Sequence, residues 1–184
     1  MKLIVGITGS TGVIYGVRLL QVLKEKNIQT HLIITEWAKK CLAMETDFTP
    51  DEVKSLATTA SDEANMAASV SSGTHKIDGM IVIPCTMKTL SSIAVGYDET
   101  LIARAAGVTL KESRKLILVP RETPLTAINL ENMLKLARLG VVILPPVPGF
   151  YTKPKTIDDI IDFMAGRALD LLNIEHNLYK RWRE

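Results

Sequence analysis

The chain has 184 residues, of which 47% are hydrophobic and 23% charged, and its formal net charge is +2 at pH 7. This composition is typical of a single globular domain spanning 1–184 and excludes an intrinsically disordered chain. No Lys/Arg block resembles a nucleic-acid stripe and no apolar run reaches the roughly 18 residues of a membrane span, so we expect neither nucleic acid nor membrane as a partner.

Cysteine and histidine usage narrows the possible chemistry. Cys41 and Cys85 form neither a CxxC pair nor a disulfide framework, which is typical of a reducing compartment. The three histidines are scattered without metal-ligand spacing, so we expect no metal site. The apolar run at the N-terminus is too short for a signal-peptide core, and we expect a cytoplasmic protein with a solvated basic tail.

Apolar runs alternate with amphipathic stretches along the chain. The runs predict five buried strands at 2–7, 29–34, 79–84, 115–119 and 141–144. Helical spacing predicts helices at about 13–23, 36–44, 88–94, 100–112, 130–139 and 157–172, and Thr49-Pro50-Asp51-Glu52 is a helix start. Strands separated by helices imply right-handed crossovers. The predicted fold class is therefore three-layer α/β, Rossmann-like (flavodoxin-like), with a parallel sheet covered on both faces.

Ligands of such sheets bind outside the carboxyl ends of the strands. The first strand leads into a GxxGxxG loop that contains Gly9, Ser10 and Thr11. Glycines let backbone N–H groups approach an anion, and a following helix start favours negative charge. The loop misses the dinucleotide GxGxxG spacing and the Walker lysine, which favours a mononucleotide with one phosphate. A tight turn without a ligand is the alternative.

The next two loops carry hydroxyl groups. Thr35 follows the second strand and is equally consistent with a ligand contact or a helix cap. After the third strand come Thr86, Met87, Lys88 and Thr89, which offer hydroxyl and N–H donors at a helix start. The neighbouring Cys85 has no nearby histidine in sequence, and we interpret it as a buried structural cysteine rather than a nucleophile.

The last two loops are stiffened by prolines. Arg121 and Glu122 lie between Pro120 and Pro124, where an arginine can bind a phosphate and a carboxylate can move a proton; a surface ion pair is the alternative. The segment Pro145-Pro146-Val147-Pro148-Gly149 delivers Phe150 and Tyr151 as walls of an apolar pocket. Lys111 and Arg167 are candidate cations for a phosphate or ordinary helix-surface charges.

Together these loops resemble the UbiX flavin prenyltransferases along nearly the whole chain. The resemblance rests on KLIVGITGSTGVIYGVRLL, ETD, SSG, DGMIVIPCTMKTL, RAAGVTLKESRKLILVPRETPL, LENMLKLARLGVVILPP and PGFY. GMIVIP and the C-terminal EH…RW are similar to the branch associated with phenolic and hydroxybenzoic acid decarboxylation. The resemblance implies a homo-oligomer, commonly a dodecamer, that joins the dimethylallyl group of dimethylallyl phosphate to N5 and C6 of reduced FMN without a metal. The prenylated FMN then serves a UbiD-type decarboxylase.

The resemblance also implies roles for individual residues. The residues implied to hold FMN are Gly9, Ser10, Thr11, Thr35, Thr86, Met87, Lys88, Thr89 and Arg121. Those implied to bind the prenyl phosphate are Tyr151, Arg167, Arg104 and Lys111. Glu122 and Lys111 are the implied proton handlers. Ser10 and Glu45 complete the catalytic set, with Glu45 supplied across a subunit boundary. Asn65 departs from the family, which often has tryptophan there, and Thr86 replaces a common serine.

Three other interpretations compete with this one. A flavin-dependent decarboxylase of the cysteine-decarboxylase type shares the architecture, but its catalytic histidine has no counterpart, since His31 lies in a strand pattern and His75 beside SSG. A non-catalytic FMN carrier would tolerate loss of Glu122. A nicotinamide oxidoreductase is disfavoured by the GxxGxxG spacing. A mean hydropathy of +0.17 is high for a small monomer and independently favours an oligomer.

Overall fold

The computed structural model describes residues 1–183. Its sheet has six parallel strands in the order β3-β2-β1-β4-β5-β6. The strands are β1 (Lys2–Ile7), β2 (Gln29–Ile34), β3 (Thr59–Asp62), β4 (Gly79–Cys85), β5 (Lys115–Pro120) and β6 (Val142–Ile143). The helices are α1 (Val13–Glu25), α2 (Glu36–Glu45), α3 (Pro50–Leu56), α4 (Met87–Val95), α5 (Leu101–Lys111), α6 (Ala127–Arg138) and α7 (Ile157–Leu171). Short 3₁₀ helices occupy Ser69–Ser71 and Phe150–Thr152.

The three-layer fold class predicted from the sequence is confirmed. The five predicted strands alone run in the flavodoxin-like order 2-1-3-4-5, and β3 adds a sixth strand at the edge that gives the Rossmann order. We did not predict β3 because its sequence, Thr-Ala-Ser-Asp, is polar and largely exposed and so lacks an apolar pattern.

Side-chain alternation in the strands divides the core into two layers. In β1, Leu3, Val5 and Ile7 pack with α1 and α7 on one face of the sheet. Ile4 packs on the opposite face with residues of α4 and α5. Because both faces are covered, the central strands are buried along their length and read as continuous apolar runs.

Most helices begin at a side-chain cap. Thr49 caps α3 with a complete capping box, as its sequence predicts. A second box, Thr126 with Asn129, starts α6 at Ala127, three residues before the predicted boundary at 130. Asparagine in place of glutamate at the third position hides this start from the usual sequence signature.

Candidate functional site

The chain reverses its strand order between β1 and β4, and the loops that follow these two strands are bonded to each other. The Thr8 hydroxyl donates to the Pro84 carbonyl oxygen at 2.8 Å, and the Thr86 N–H donates to Thr8 Oγ1 at 2.8 Å. Thr8 is fully buried. This pairing fixes the first and third loops as one rigid unit at the position where α/β sheets bind ligands.

A cavity of about 340 Å³ opens at this unit. It is lined by residues from five loops and from helices α2 and α4. Its walls are Thr8, Gly9, Thr35, Trp37, Glu63, Thr86, Lys88, Thr89, Ser92, Tyr97, Glu99 and Thr100. Five of the nine residues predicted to hold FMN are therefore brought together in one cavity. Its hydroxyl-rich wall, with one lysine, suits the phosphate and polyol of a mononucleotide.

Gly9 allows the first loop to lie directly against α2. A Cβ on Gly9 would lie 2.8 Å from the backbone carbonyl carbon of Trp37, a distance that side chains do not tolerate. The Trp37 side chain itself is 64% exposed and carries the Lys40 ammonium 4.1 Å from its ring centroid. The glycine is thus required by a close backbone approach, as the sequence motif suggests.

The hydroxyl of Ser10 is the exceptional polar group of the site. Its Oγ is buried and has no hydrogen-bond partner among residues 1–183. Leaving a buried hydroxyl unpaired costs about 1–3 kcal/mol, so such groups call for an explanation. A bound ligand that pairs with Ser10 supplies one, and this is the observation by which FMN fits the residues present.

Two helix starts at this edge hold carboxylates of the same chain. The Gly12 N–H at the start of α1 donates to Glu45 Oε2 at 2.8 Å, and the Glu36 N–H at the start of α2 donates to Glu63 Oε1 at 3.0 Å. At the start of α4, Thr86 Oγ1 accepts from the Thr89 N–H at 3.2 Å, the same kind of cap that Thr35 forms at α2, but no carboxylate of residues 1–183 accepts from its backbone N–H groups. Of these three starts, α4 is the one prepared for an external anion, with Lys88 beside it.

Glu45 ends α2 beside the first loop, and its expected supply across a subunit boundary stays a prediction. The Glu45 carboxylate contacts the first loop of its own chain, so reaching that loop does not require a neighbouring subunit. The reason is local: α2 runs back from the cavity, and its last residue turns toward Gly12 at the start of α1.

The fourth loop reaches the same edge of the sheet. The Arg121 N–H donates to the Cys85 carbonyl oxygen at 3.1 Å, which ties this loop to the third. Burial raises the pKa of Tyr15 in α1, and the nearby positive charge of Arg121 acts in the opposite direction. The Glu122 side chain is exposed and accepts from the Thr123 N–H at 3.1 Å. Arg121 and Glu122 therefore flank the cavity without lining it.

Arg104 and Lys111 lie on a separate surface. They line a second cavity of about 470 Å³ with residues 71–74 and Glu112. Arg104 Nε donates to the Ser71 carbonyl oxygen at 3.1 Å, and Lys111 Nζ contacts Glu112 Oε1 at 2.8 Å. Lys111 ends the 11-residue helix α5. At about 1.5 Å rise per residue, it lies roughly 15 Å along the axis from the helix start, which faces the first cavity.

Tyr151 and Arg167 lie in a third place, on the outer side of α7. Tyr151 packs edge-on against Trp182 with ring centroids 5.1 Å apart, and Arg167 Nη1 donates to Asp170 Oδ2 at 3.0 Å. Arg181 also binds Asp170, at 2.9 Å, so the basic tail is not the purely solvated end that we predicted. The charge pattern of the tail was visible in sequence, but its carboxylate partner in α7 was not.

Cys85 is fully buried, as we predicted, and burial raises the pKa of its thiol far above the ordinary value, which disqualifies it as a nucleophile. His31 lies within β2, where burial, followed by the charge of His75, lowers its pKa. Within residues 1–183 no group of three or more His, Cys, Asp or Glu side chains is arranged to hold a metal ion. Over the same residues no helix combines the length and the apolar character needed to span a bilayer.

Sequence reasoning missed several residues of the cavity wall. Glu63 follows the unpredicted strand β3, and its backbone carbonyl accepts from the Leu101 N–H at 2.8 Å. Trp37 and Tyr97 are exposed aromatic residues, for which sequence offers no pocket signal. Their placement supplies two aromatic rings to the cavity wall.

Comparisons with known proteins agree along the full length. The profile of the family described as Flavoprotein matches residues 1–169. A protein of Escherichia coli O157:H7 named "Probable UbiX-like flavin prenyltransferase" is 52% identical over 184 residues, covering 100% of this chain and 93% of the relative.

Solved structures of UbiX-like proteins also match the whole chain. A dodecameric FMN-dependent UbiX-like decarboxylase from Escherichia coli O157:H7 is 51% identical with a TM-score of 0.98, covering 100% of both chains. AnUbiX in complex with FMN and dimethylallyl pyrophosphate is 46% identical with a TM-score of 0.98, covering 100% of this chain and 97% of the other. An FMN-dependent cysteine decarboxylase, at 17% identity and a TM-score of 0.66 over 79% of this chain and 90% of the other, shares the fold alone.

Proposed function

Because this chain belongs to the UbiX-like flavin prenyltransferases, within the flavoprotein family, we propose that it transfers a dimethylallyl group from dimethylallyl phosphate to N5 and C6 of reduced FMN. The observation that carries the proposal is the cavity at the β1/β4 switch point, where Gly9 permits a close backbone approach and the buried Ser10 hydroxyl has no partner among residues 1–183. FMN, when bound there in its reduced form, supplies the nucleophilic ring atoms.

The FMN phosphate binds at the start of α4 in this proposal. Thr86 and Thr89 offer hydroxyl groups there, Lys88 offers a positive charge, and the backbone around Met87 belongs to the first turn. The carboxylates of Glu45 and Glu63 at the two other helix starts disfavour a second phosphate, which supports a mononucleotide.

The proposal assigns the remaining FMN contacts to the first, second and fourth loops. Gly9, Ser10 and Thr11 would hold FMN from the first loop, where the Ser10 hydroxyl would pair with the ligand. Thr35, at the end of β2, would contact FMN from the second loop, and Arg121 would contact it from the fourth loop, which is bonded to the third through Cys85. Glu45 completes the first loop from its own chain.

Lys88 of the cavity wall is assigned to the FMN phosphate, so the prenyl phosphate needs further cations. Arg104, Lys111 and Arg167, with Tyr151, offer three positive charges and a hydroxyl, but they lie on two other surfaces of the chain. We therefore assign them to the sites of neighbouring subunits in a homo-oligomer, a dodecamer like that of the solved relative. Together they stabilise the departing phosphate while the carbon–oxygen bond breaks.

Proton movement falls to the fourth loop and to α5. Glu122, exposed at the edge of the cavity, would accept the proton that C6 loses when the second ring bond forms at the expense of the allylic double bond, whose other carbon takes up the proton released from N5. Lys111 would hold a proton toward the leaving phosphate. No protein-bound metal takes part. The prenylated FMN passes to a UbiD-type aromatic acid decarboxylase in the cytoplasm, and neither nucleic acid nor membrane is a partner.

The decisive experiment is anaerobic incubation with reduced FMN and dimethylallyl phosphate, followed by mass spectrometry of the released flavin. We expect a gain of one prenyl unit by wild-type protein. Glu122→Gln should lower the rate about 100-fold or more while retaining FMN, because it removes a general base. Glu131→Gln, an exposed glutamate on α6, is the matched control and should react normally.

The outcomes separate the alternatives. Flavin that stays bound but unchanged with wild-type protein contradicts the prenyltransferase and favours a carrier or a flavin-dependent decarboxylase. Normal prenylation by Glu122→Gln contradicts the assignment of the proton acceptor and leaves the transfer reaction in place.

A further inference from the structure

One carboxylate outside the cavity gathers an unusual number of donors. Asp170, in the last turn of α7, accepts from Arg167 Nη1 at 3.0 Å, Arg181 Nη2 at 2.9 Å, His176 Nε2 at 3.1 Å and the Tyr179 hydroxyl. Its side chain is only 15% exposed. Although burial acts to raise the pKa of Asp170, the hydrogen bonds from these donors hold it below the ordinary value, so the group is ionised.

The histidine is built into the cluster as a neutral donor. The Leu178 N–H donates to His176 Nδ1 at 3.2 Å, which makes Nδ1 an acceptor and leaves the proton on Nε2, facing Asp170. The His176 side chain is 2% exposed. The cluster therefore contains two cations, one anion and two neutral donors, and keeps a net positive charge.

Three of these donors belong to the C-terminal segment, residues 174–183. This segment contains neither helix nor strand, so side-chain contacts determine its position. Gly166 in α7 lets the segment pack closely, because a Cβ there would lie 2.6 Å from Tyr179 Cε1 and 2.7 Å from His176 Cε1. Asp170 is the polar anchor of the segment on the helix.

The anchored segment in turn holds the residues assigned to the prenyl phosphate. Trp182 packs edge-on against Tyr151, and Tyr179 packs on Phe163, which itself contacts Tyr151 with centroids 6.0 Å apart. Arg167 binds Asp170 directly, and 41% of its side chain remains accessible for a second partner. Asp170 therefore orients Arg167 through a direct hydrogen bond and Tyr151 through the C-terminal segment that it anchors.

We propose that Asp170 is a positioning residue for the prenyl donor: it anchors the C-terminal segment on α7 and so presents Arg167 and Tyr151 to the phosphate. This inference rests on the proposed function, which assigns those two residues to the donor. It concerns donor binding alone, because neither Asp170 nor the segment lines the FMN cavity.

The test compares Asp170→Asn with Asp162→Asn in the full-length protein. Asp162 is on the same helix and also pairs with an arginine, Arg18, at 2.6 Å, but it contacts neither the segment nor Tyr151. Asp170→Asn should raise the KM for dimethylallyl phosphate about tenfold, as expected for loss of charge-assisted hydrogen bonds. The FMN dissociation constant should stay unchanged, and Asp162→Asn should leave both constants unchanged.

A second measurement does not depend on activity. Trypsin cleavage after the exposed Lys180, followed by mass spectrometry, reports how firmly the segment is held. Cleavage should be faster in Asp170→Asn than in Asp162→Asn and wild type. If Asp170→Asn does not fold, Tyr179→Phe removes one donor and keeps the ring, and should give a smaller rise in the same KM.

An unchanged KM overturns the proposal, and so does a rise in KM accompanied by equal weakening of FMN binding, which would indicate general damage. Failure of wild-type protein to prenylate FMN overturns the proposed function instead. In that case equal trypsin cleavage of wild type and Asp170→Asn still overturns the anchoring role.

Discussion

The loops at the carboxyl ends of β1, β2 and β4 differ from the outer faces of α5 and α7 in what holds their residues in place. In the loops, backbone groups and short hydroxyl side chains are fixed by contacts such as Thr8 with Pro84 and Thr86. On the helices, long cations are each paired with a carboxylate of the same chain: Arg104 with Asp98, Lys111 with Glu112 and Arg167 with Asp170.

This difference distinguishes the proposed binding of FMN from the proposed binding of the prenyl donor. The cavity that we propose for FMN is lined by loops and helix starts of one chain, which the fold brings together. The proposed donor residues lie on other surfaces of the chain, and in our proposal they meet the cavity of a neighbouring subunit when chains associate. Binding of FMN and binding of the prenyl donor should therefore respond to different substitutions.

The largest effect is expected from Lys111→Met. We expect prenyl transfer to fall at least about 100-fold, because a cation at the departing phosphate is lost. FMN affinity, measured by flavin fluorescence quenching, should not change, since Lys111 is not in the cavity wall. Lys88→Met is the converse variant and should weaken FMN binding. Equal loss of FMN affinity in both would erase the distinction between the two regions.

Gly9→Ala should have the next largest effect, on the cavity itself. The added methyl group would lie 2.8 Å from the Trp37 carbonyl carbon, so the loop must move. We expect FMN affinity to fall about tenfold or more and the melting temperature to drop, since overpacking costs about 1–3 kcal/mol. Calorimetry and FMN titration measure these changes.

Gly107→Ala is the control for that variant. Gly107 lies within α5, and its added Cβ would meet only the flexible carboxylate end of Asp98, at 3.1 Å. Alanine is also the better helix former by about 1 kcal/mol. FMN binding should be normal. Similar losses in the two variants would show that Gly9 has no special relation to the site.

Mixed oligomers sharpen the comparison further. Gly9→Ala chains lack a normal cofactor cavity but keep Lys111, whereas Lys111→Met chains have the opposite defect. If the donor cation comes from a neighbouring subunit, co-assembled oligomers should regain activity that neither variant shows alone. Mixtures that stay inactive would contradict the assignment of Lys111 to a neighbour.

Ser10→Ala should give the smallest effect, a change in protein stability whose direction differs between the FMN-free and the FMN-bound protein. Without FMN, stability should stay equal or rise by about 1 kcal/mol, because an unpaired buried hydroxyl is removed. With FMN, the stabilisation by ligand should shrink, because a hydrogen bond to the cofactor is lost. Melting temperatures with and without FMN measure both. A loss of stability in the FMN-free protein would mean that the hydroxyl is paired by another group.

Sequence reasoning reached the fold through local signals. Runs such as Lys2–Ile7 are buried on both faces of a parallel sheet, so their apolar continuity predicts strands directly. The capping box of Thr49 and Glu52 likewise predicts the start of α3 from local sequence. The strand Thr59–Asp62 lies at the edge of the sheet and is largely exposed, so its sequence has no apolar pattern. For this reason neither the strand nor Glu63, which follows it, was predicted.

The sequence by itself determined which loops bear ligand groups, because strand ends and glycine spacing are local properties of the chain. Family resemblance added the identity of the flavin and the prenyl donor. The tertiary structure alone decided that Glu45 reaches its own first loop, that Arg104 and Lys111 lie apart from the cavity, and that Asp170 gathers the C-terminal segment. Whether these residues lie close together or apart depends on how the helices pack on the sheet. The hydrophobic periodicity of the sequence indicates helices and strands but not how they pack.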